Sequence, residues 1–227
     1  MNARATMFVT AAMAALASGQ LATTPAGPQY PLAMKTRWTY QMRQEFGPGV
    51  HPSGPDAALV KGNVLETTVV SEVAGSDIIG GIKYTRIESR HDGRLWMTEW
   101  MRLTPEGLFL GKTTEDGDET VLAPPQKILS SRMAAGETWA WKATAAPVTI
   151  QTKVAGKEAT EVPAGKFDAI KSIHELRMVL PQATVRGTNS RWFLPGVGYV
   201  RQETEIYAGD RFASRTQLRL VTFDAAK

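Results

Sequence analysis

The sequence contains no cysteine, only three histidines, and no long apolar run after its N-terminal segment. Without cysteine the chain can form no disulfide, no thiolate metal site and no lipid-modified N-terminal cysteine, so we do not expect a lipoprotein. The histidines, His51, His91 and His174, lie far from the short spacings that bring two imidazoles to one zinc ion. The sequence therefore predicts no metal ligands and no cofactor.

Signatures of common enzyme classes are also missing. There is no Gly-x-Ser-x-Gly elbow and no Ser-x-x-Lys motif. The glycine-rich segment 47–55 holds three prolines where a phosphate-binding loop needs free N–H groups. We predict no catalytic residue and more readily a binding protein than an enzyme. If the protein is a hydrolase, the candidates are His51 in this loop or paired carboxylates such as Glu203 with Glu205.

The chain has little excess of either charge, with 26 basic and 22 acidic residues. Both signs are interspersed, and acidic residues interrupt the one region that is rich in arginine, residues 86–102. A nucleic-acid-binding protein is expected to concentrate its positive charge on one element or face. We therefore expect no nucleic-acid partner.

The N-terminal segment has the layout of a secretory signal. Arg4 precedes an uncharged run from Ala5 to Ala22, and Ala15-Leu16-Ala17 fits the small-x-small cleavage rule. The strongly apolar part is too short to cross roughly 30 Å of hydrocarbon as a helix, which argues against a retained anchor. We interpret residues 1–22 as a signal peptide and expect a periplasmic or secreted protein with no transmembrane segment in the mature chain.

The rest of the chain alternates between short β-type runs and turn signals. A Pro, Gly and Thr-rich stretch, 23–31, reads as an extended linker before a single β domain, 32–227. Many short strands at roughly ten-residue spacing predict an all-β antiparallel meander that forms a curved sheet, half-barrel or barrel. The pattern predicts turns at Ala74–Asp77, a strand end at Pro124-Pro125, and one short helix at Gln126–Ala135.

A faint internal repeat divides the domain into two related β units, about 32–122 and 123–227. Four features recur in the same order in both units. They are Trp38-Thr39-Tyr40 with Trp139-Ala140-Trp141, Val73-Ala74-Gly75 with Val154-Ala155-Gly156, Gly81 with Gly165, and Trp100, Pro105 and Gly107 with Trp192, Pro195 and Gly198.

Two turn motifs in the second unit are the most specific patterns in the chain. They are the run from Val162 to Ala169, VPAGKFDA, and the run from Trp192 to Val200, WFLPGVGYV. Together with Gly136-Glu137-Thr138-Trp139, they resemble exported bacterial β-rich proteins of unknown function, some labelled TapB-like. The resemblance implies an extracytoplasmic β domain and no particular catalytic residue. Proline and glycine also explain both motifs as tight turns that lead into strands.

Tryptophans are the main candidates for ligand contact. Trp96 and Trp100 share one strand face with Arg102, while Trp139 shares a face with Trp141. With Trp192, they could line a cavity for an apolar molecule, form a stacking platform for sugars, or fill an ordinary core. We expect a non-catalytic, envelope-associated binding protein for an apolar ligand or an envelope protein. The alternatives are a carbohydrate-binding module and a hydrolase.

Overall fold

The computed structural model describes residues 29–52 and 54–226, so the expected signal peptide and the linker up to residue 28 lie outside the described residues. The described chain forms one twelve-stranded sheet and a short 3-10 helix, Gly54–Leu59. The strands are β1 (Arg37–Phe46), β2 (Val64–Ile79), β3 (Ile82–His91), β4 (Arg94–Thr104), β5 (Gly107–Glu115), β6 (Asp118–Ser130), β7 (Thr138–Lys142), β8 (Val148–Val162), β9 (Gly165–Val179), β10 (Thr184–Leu194), β11 (Gly198–Ala208) and β12 (Arg211–Asp224).

The strands of this sheet pair antiparallel, in the order β6-β5-β4-β3-β2-β1-β12-β11-β10-β9-β8-β7. Strands that follow one another in the chain are paired, except β6 and β7, and the ladder between β1 and β12 joins the first and last strands. The sheet curls into a nearly closed barrel whose two edge strands, β6 and β7, lie side by side. The predicted fold class, an antiparallel all-β meander with at most one short helix, is confirmed.

The core fills the inside of the curled sheet because alternate side chains of each strand point inward. On β1 the inward positions are Trp38, Tyr40 and Met42, all nearly inaccessible to solvent. Tyr40 and Trp38 also tie the first half of the chain to the second. The Tyr40 hydroxyl donates to the carbonyl of Tyr199, and the Trp38 indole donates to the carbonyl of Val197.

The helix predicted at Gln126–Ala135 is wrong. Strand β6 continues through this segment to Ser130 and pairs with β5, with Lys127 opposite Phe109 and Leu129 opposite Leu108. Long-range pairing overrides the local helical pattern. The predicted strand end at Pro124-Pro125 is wrong for a related reason: β6 is an edge strand, where the absence of a proline N–H is tolerated.

The turn predicted at Ala74–Asp77 is also wrong, because β2 runs straight through it. The small residues instead form a β-bulge, which shifts the register between Val73 and Gly75. The glycines of the two turn motifs have positive φ, 135° at Gly165 and 77° at Gly196, as glycine in a tight turn allows.

The repeated sequence features fall on equivalent strands of the two halves. The two Trp-rich segments lie at the starts of β1 and β7. The Val-Ala-Gly segments form matching bulges, between Val73 and Gly75 on β2 and between Val154 and Gly156 on β8. These matches support the proposal that the barrel is built from two related six-stranded units.

Candidate functional site

Trp100 lies on the outer face of the barrel within a cluster drawn from four successive strands. Its indole Nε1 donates to Asp77 Oδ2 on β2 at 2.8 Å. Arg86 on β3 donates to the same carboxylate oxygen at 3.2 Å. The Nζ of Lys112 on β5 lies 4.5 Å from the centroid of the indole ring. We call these four residues the first tryptophan cluster.

Trp192 has the same surroundings in the second half, in what we call the second tryptophan cluster: Glu158, Lys171, Trp192 and Arg201. The indole donates to Glu158 Oε1 at 2.9 Å, and Lys171 donates to Glu158 Oε2 at 2.9 Å. Arg201 and Lys171 both face the ring, at 4.5 and 4.8 Å from its centroid. Partial desolvation by itself would raise the pKa of the Glu158 carboxyl. The hydrogen bonds that this carboxyl accepts from Lys171 and Trp192 outweigh desolvation and lower the pKa.

The two clusters match strand by strand. Trp100 is paired with Lys112 and Trp192 with Arg201, and a register shift follows each tryptophan directly. Each carboxylate lies two residues beyond the glycine of a bulge, at Asp77 and Glu158. In each cluster, charged side chains of the same chain lie against the tryptophan ring. Both clusters therefore connect neighbouring strands, and neither is an open stacking platform.

Trp139 and Trp141 join the two edge strands. The indole of Trp139 donates to the carbonyl of Lys127 at 2.9 Å, and that of Trp141 donates to the carbonyl of Pro124 at 2.7 Å. The backbone N–H of Thr144 adds a bond to the carbonyl of Ala123 at 2.8 Å. These side-chain bonds from β7 to β6 close the barrel where no β ladder forms among the described strands.

The inside of the barrel contains an enclosed charged cluster, which consists of Glu99, Arg191, Tyr30, Tyr40 and Tyr199. Glu99 is 0% exposed and Arg191 is 1% exposed. Arg191 donates to the Tyr199 hydroxyl at 3.4 Å, and its guanidinium lies 5.2 Å from that ring. Tyr30, from the segment before β1, stacks on Phe193 and meets Tyr199 edge-on. We call this set the interior cluster.

Burial controls the protonation of the interior cluster. Desolvation raises the pKa of Tyr30, Tyr40 and Tyr199; the negative charge of Glu99 adds to each shift, and Arg191 opposes the shifts of Tyr30 and Tyr199. The three phenols therefore stay protonated, and the hydroxyls of Tyr40 and Tyr199 take part in hydrogen bonds. A buried phenol with a raised pKa is a poor general base at neutral pH.

His174 borders the interior cluster as a neutral imidazole. Its two ring nitrogens lie 3.0 Å from the hydroxyls of Thr152 and Ser172. Burial lowers the pKa of His174 well below its usual value, and the charge of Arg191 adds to the effect. With both nitrogens bonded and no exposure to solvent, His174 supports the structure of the strands around it.

The predicted hydrolase groups are not assembled into a site. His51 borders an open depression of about 190 Å³ between the end of β1 and the following loop, and none of its described lining residues is acidic. Glu203 is bound by Arg201 and Gln217. Glu205 accepts a hydrogen bond from Arg215 at 2.7 Å.

A second open depression, of about 160 Å³, lies on the outer face where β1 meets β12 and β2. Its lining is mainly polar and includes Gln41, Arg43, Glu66, Gln217 and Arg219. Arg43 is bonded within it to Glu66, so positive and negative side chains alternate over this surface. Neither depression encloses a volume in which a ligand would be surrounded on all sides.

The other predicted contact residues are separated from one another. Trp96 is only 8% exposed and packs edge-on against His91. Arg102 is exposed on β4. Sequence reasoning did not identify Glu99 and Arg191 as a pair. A charged residue at an inward strand position is the sequence signal that could have identified Glu99, since Glu99 lies between the buried residues Met97 and Met101.

The described residues lack two further kinds of feature. No group of three or more His, Cys, Asp or Glu side chains within them is placed to hold a metal ion. None of their helical segments has the length and apolar character needed to span a membrane.

Comparison with known proteins gives a partial family match. A model of DUF3108-like proteins matches residues 129–218, less than half of the chain, and this range includes both turn motifs. The resemblance to TapB-like proteins stays a prediction, since the matching model has a different description. No curated protein matches the chain.

Two solved structures have a similar chain path. One is a protein from Parabacteroides distasonis, provisionally described as a lipoprotein, with 14% identity, a TM-score of 0.48, and coverage of 88% of this chain and 100% of that chain. The other is from Bacteroides fragilis and is provisionally described as an exported protein with a YmcC-like fold. It shows 14% identity and a TM-score of 0.43, with coverage of 85% of this chain and 96% of that chain.

Proposed function

We propose that this protein is an exported, non-catalytic binding protein of the cell envelope, which contacts its partner through the outside of the barrel. The observation that carries the proposal is the interior cluster. Glu99 and Arg191 are enclosed by the chain's own tyrosines, so the inside of the barrel is occupied by side chains. A site for small molecules is normally a preformed concave space lined mainly by apolar groups.

This arrangement favours one of the two kinds of partner that the sequence suggests. An apolar ligand inside the barrel would have to displace packed side chains and would meet a buried carboxylate, a guanidinium and His174. Placing an apolar molecule against such groups would break their hydrogen bonds at a high energetic cost. An envelope component bound at the outer surface requires no such rearrangement.

The two alternative functions have less support. Sugar stacking needs exposed aromatic faces, whereas Trp96 is buried and Trp100 is covered by Lys112. Hydrolysis with His51 needs a neighbouring acid, whereas the described residues around its depression are mostly apolar or glycine.

Native mass spectrometry of the full-length protein, purified from its own envelope in mild detergent, tests the proposal. We expect the protein to be recovered with the envelope fraction and its folded monomer to have the mass of the chain alone. A small molecule that remains bound in stoichiometric amount until the chain unfolds would show an interior carrier and overturn the proposal. Recovery only in the soluble fraction, without a partner, would also overturn it.

A further inference from the structure

The hairpin between β2 and β3 projects beyond the wall of the barrel. Strand β2 pairs with β1 only as far as Glu72, and the last pair between β3 and β4 joins Thr85 to Met101. Residues from Ile78 to Lys83 therefore pair only with each other, with Ile79 opposite Ile82. We call residues 78–83 the β2–β3 tip.

The tip is apolar and exposed. Ile78 is 75% exposed and Ile82 is 38% exposed. Gly80 and Gly81 form its turn with φ of 56° and 78°, and a Cβ at either position would meet no atom within 4 Å. Single exposed apolar residues are normal on a protein surface, but isoleucines grouped on a projecting turn point to a contact.

The base of the hairpin is held firmly. Asp77 is the carboxylate of the first tryptophan cluster, and it is bound by both Arg86 and Trp100. The ring of Tyr84 packs against Gly111 so closely that a Cβ there would lie 2.5 Å from the ring. The tip is thus presented in a defined position by a braced support.

The equivalent hairpin of the second half provides an internal comparison. Its support is the second tryptophan cluster, but its turn, at Pro163-Ala164, lies against the barrel. The N–H of Ala164 donates to the carbonyl of Leu220 at 2.9 Å, and Val162 is only 4% exposed. Of two hairpins with matching supports, one is hydrogen-bonded at its turn to β12, whereas the other carries isoleucines at an exposed turn.

Positively charged residues lie on the exposed tip and near its base. Lys83 is opposite Ile78, and Lys35 is attached to the base of the hairpin through its N–H bond to the carbonyl of Val73. Arg37 and Arg102 are exposed at the same end of the barrel. The nearest carboxylate on the hairpin, Asp77, is already bound by Arg86.

We infer that the β2–β3 tip inserts into the surface of an anionic lipid bilayer, with its isoleucines among the lipid chains and the surrounding cations on the headgroups. Apolar burial and attraction to anionic lipids act together in such attachment. The inference rests on the proposed envelope function and names the bilayer as the surface that the barrel contacts.

Sedimentation of the purified full-length chain with lipid vesicles tests the inference. Anionic vesicles of phosphatidylglycerol and phosphatidylethanolamine should retain the chain, and vesicles of phosphatidylcholine should retain it less. Added salt should weaken binding to the anionic vesicles. The double variant Ile78→Ser with Ile82→Ser should lower the affinity by about tenfold or more. Lys83→Gln should weaken binding to the anionic vesicles only.

Val179→Ser is the matched control, because Val179 is 48% exposed at the opposite end of the barrel. It should leave vesicle binding unchanged, and all variants should keep the thermal midpoint of the parent. The inference fails if the parent does not bind vesicles, or if Val179→Ser weakens binding as much as the tip variant.

The vesicle experiment and the envelope purification can fail separately. If the parent does not bind vesicles but a protein still copurifies from the envelope, the bilayer inference is wrong and the proposed function stands. If that copurification also depends on Ile78 and Ile82, the tip is a protein contact and the bilayer inference is overturned. If the chain binds vesicles yet retains a small molecule inside, the proposed function fails alone.

Discussion

Glu99 and Arg191, two charged side chains enclosed by the barrel, occupy equivalent positions in its two halves. Each residue directly precedes the tryptophan of a tryptophan cluster, Trp100 on β4 and Trp192 on β10. Their side chains point inward while the tryptophans point outward, because successive residues of a strand face opposite sides. Both charges act on Tyr199, so they lie in one electrostatic environment.

Arg191→Met and Glu99→Gln should each destabilise the fold by about 3 kcal/mol or more, because each removes one of two opposite charges that act on the same buried tyrosines and leaves the other enclosed there. The double variant should lose less than the sum of the two single variants. Denaturant unfolding measures these free energies. The control is Arg186→Met, also on β10, whose ion pair with Asp210 is exposed and screened by solvent, so the variant should lose much less stability. Strict additivity would contradict the expected coupling.

Trp100→Phe and Trp192→Phe should destabilise the fold by similar amounts, about 1 kcal/mol each, because each keeps an aromatic ring but loses the hydrogen bond to a carboxylate. The free energy of unfolding of the two variants provides the comparison. A loss confined to one variant would show that the two clusters are not equivalent supports.

Trp141→Phe should loosen the junction of the edge strands, since it removes the bond from the indole to the carbonyl of Pro124. Hydrogen exchange should become faster in β6 and β7, while the amides of the continuous β1–β12 ladder keep their protection. Trp192→Phe is the control and should affect β8 to β11 only. Faster exchange throughout the sheet would indicate that the barrel opens as a whole.

Acidification should destabilise the fold through His174. Its pKa is lowered in the folded protein, so below its usual value of 6.5 the unfolded chain binds a proton that the folded chain does not. The free energy of unfolding should therefore fall as the pH decreases from about 6.5, by at most about 1.4 kcal/mol per pH unit. Unfolding curves between pH 7 and about pH 5 measure this slope. His174→Gln should reduce it.

Much of the fold could be read from local patterns. Alternation and paired turn residues located most strands, because inward and outward positions alternate along a half-buried strand and Asp-Gly or Gly-Gly pairs favour hairpin turns. The wrong predictions fall in the edge strand β6 and at the bulge of β2, where the structure departs from what the local residue pattern favours. The segment after Pro124-Pro125 looks helical in isolation and becomes a strand only because β5 pairs with it.

The candidate residues were harder to interpret. The sequence placed Trp96 and Trp100 on one face of a strand, but it could not show that Lys112 from β5 covers the Trp100 ring. The four residues of each tryptophan cluster come from four strands and meet only when the sheet is in register. The same is true of the interior cluster, where Tyr30 and Arg191 are far apart in the chain and adjacent in space.

By itself the sequence determined the antiparallel β class of the chain, the absence of cysteine chemistry, and the turns that require glycine. These properties depend on residue type and on short-range spacing. Only the tertiary structure decided which tryptophans are covered, which charges are enclosed, and which of two similar hairpins is bonded at its turn to a distant strand. Those outcomes depend on contacts between strands that are distant in the sequence, and the curvature of the sheet brings them together.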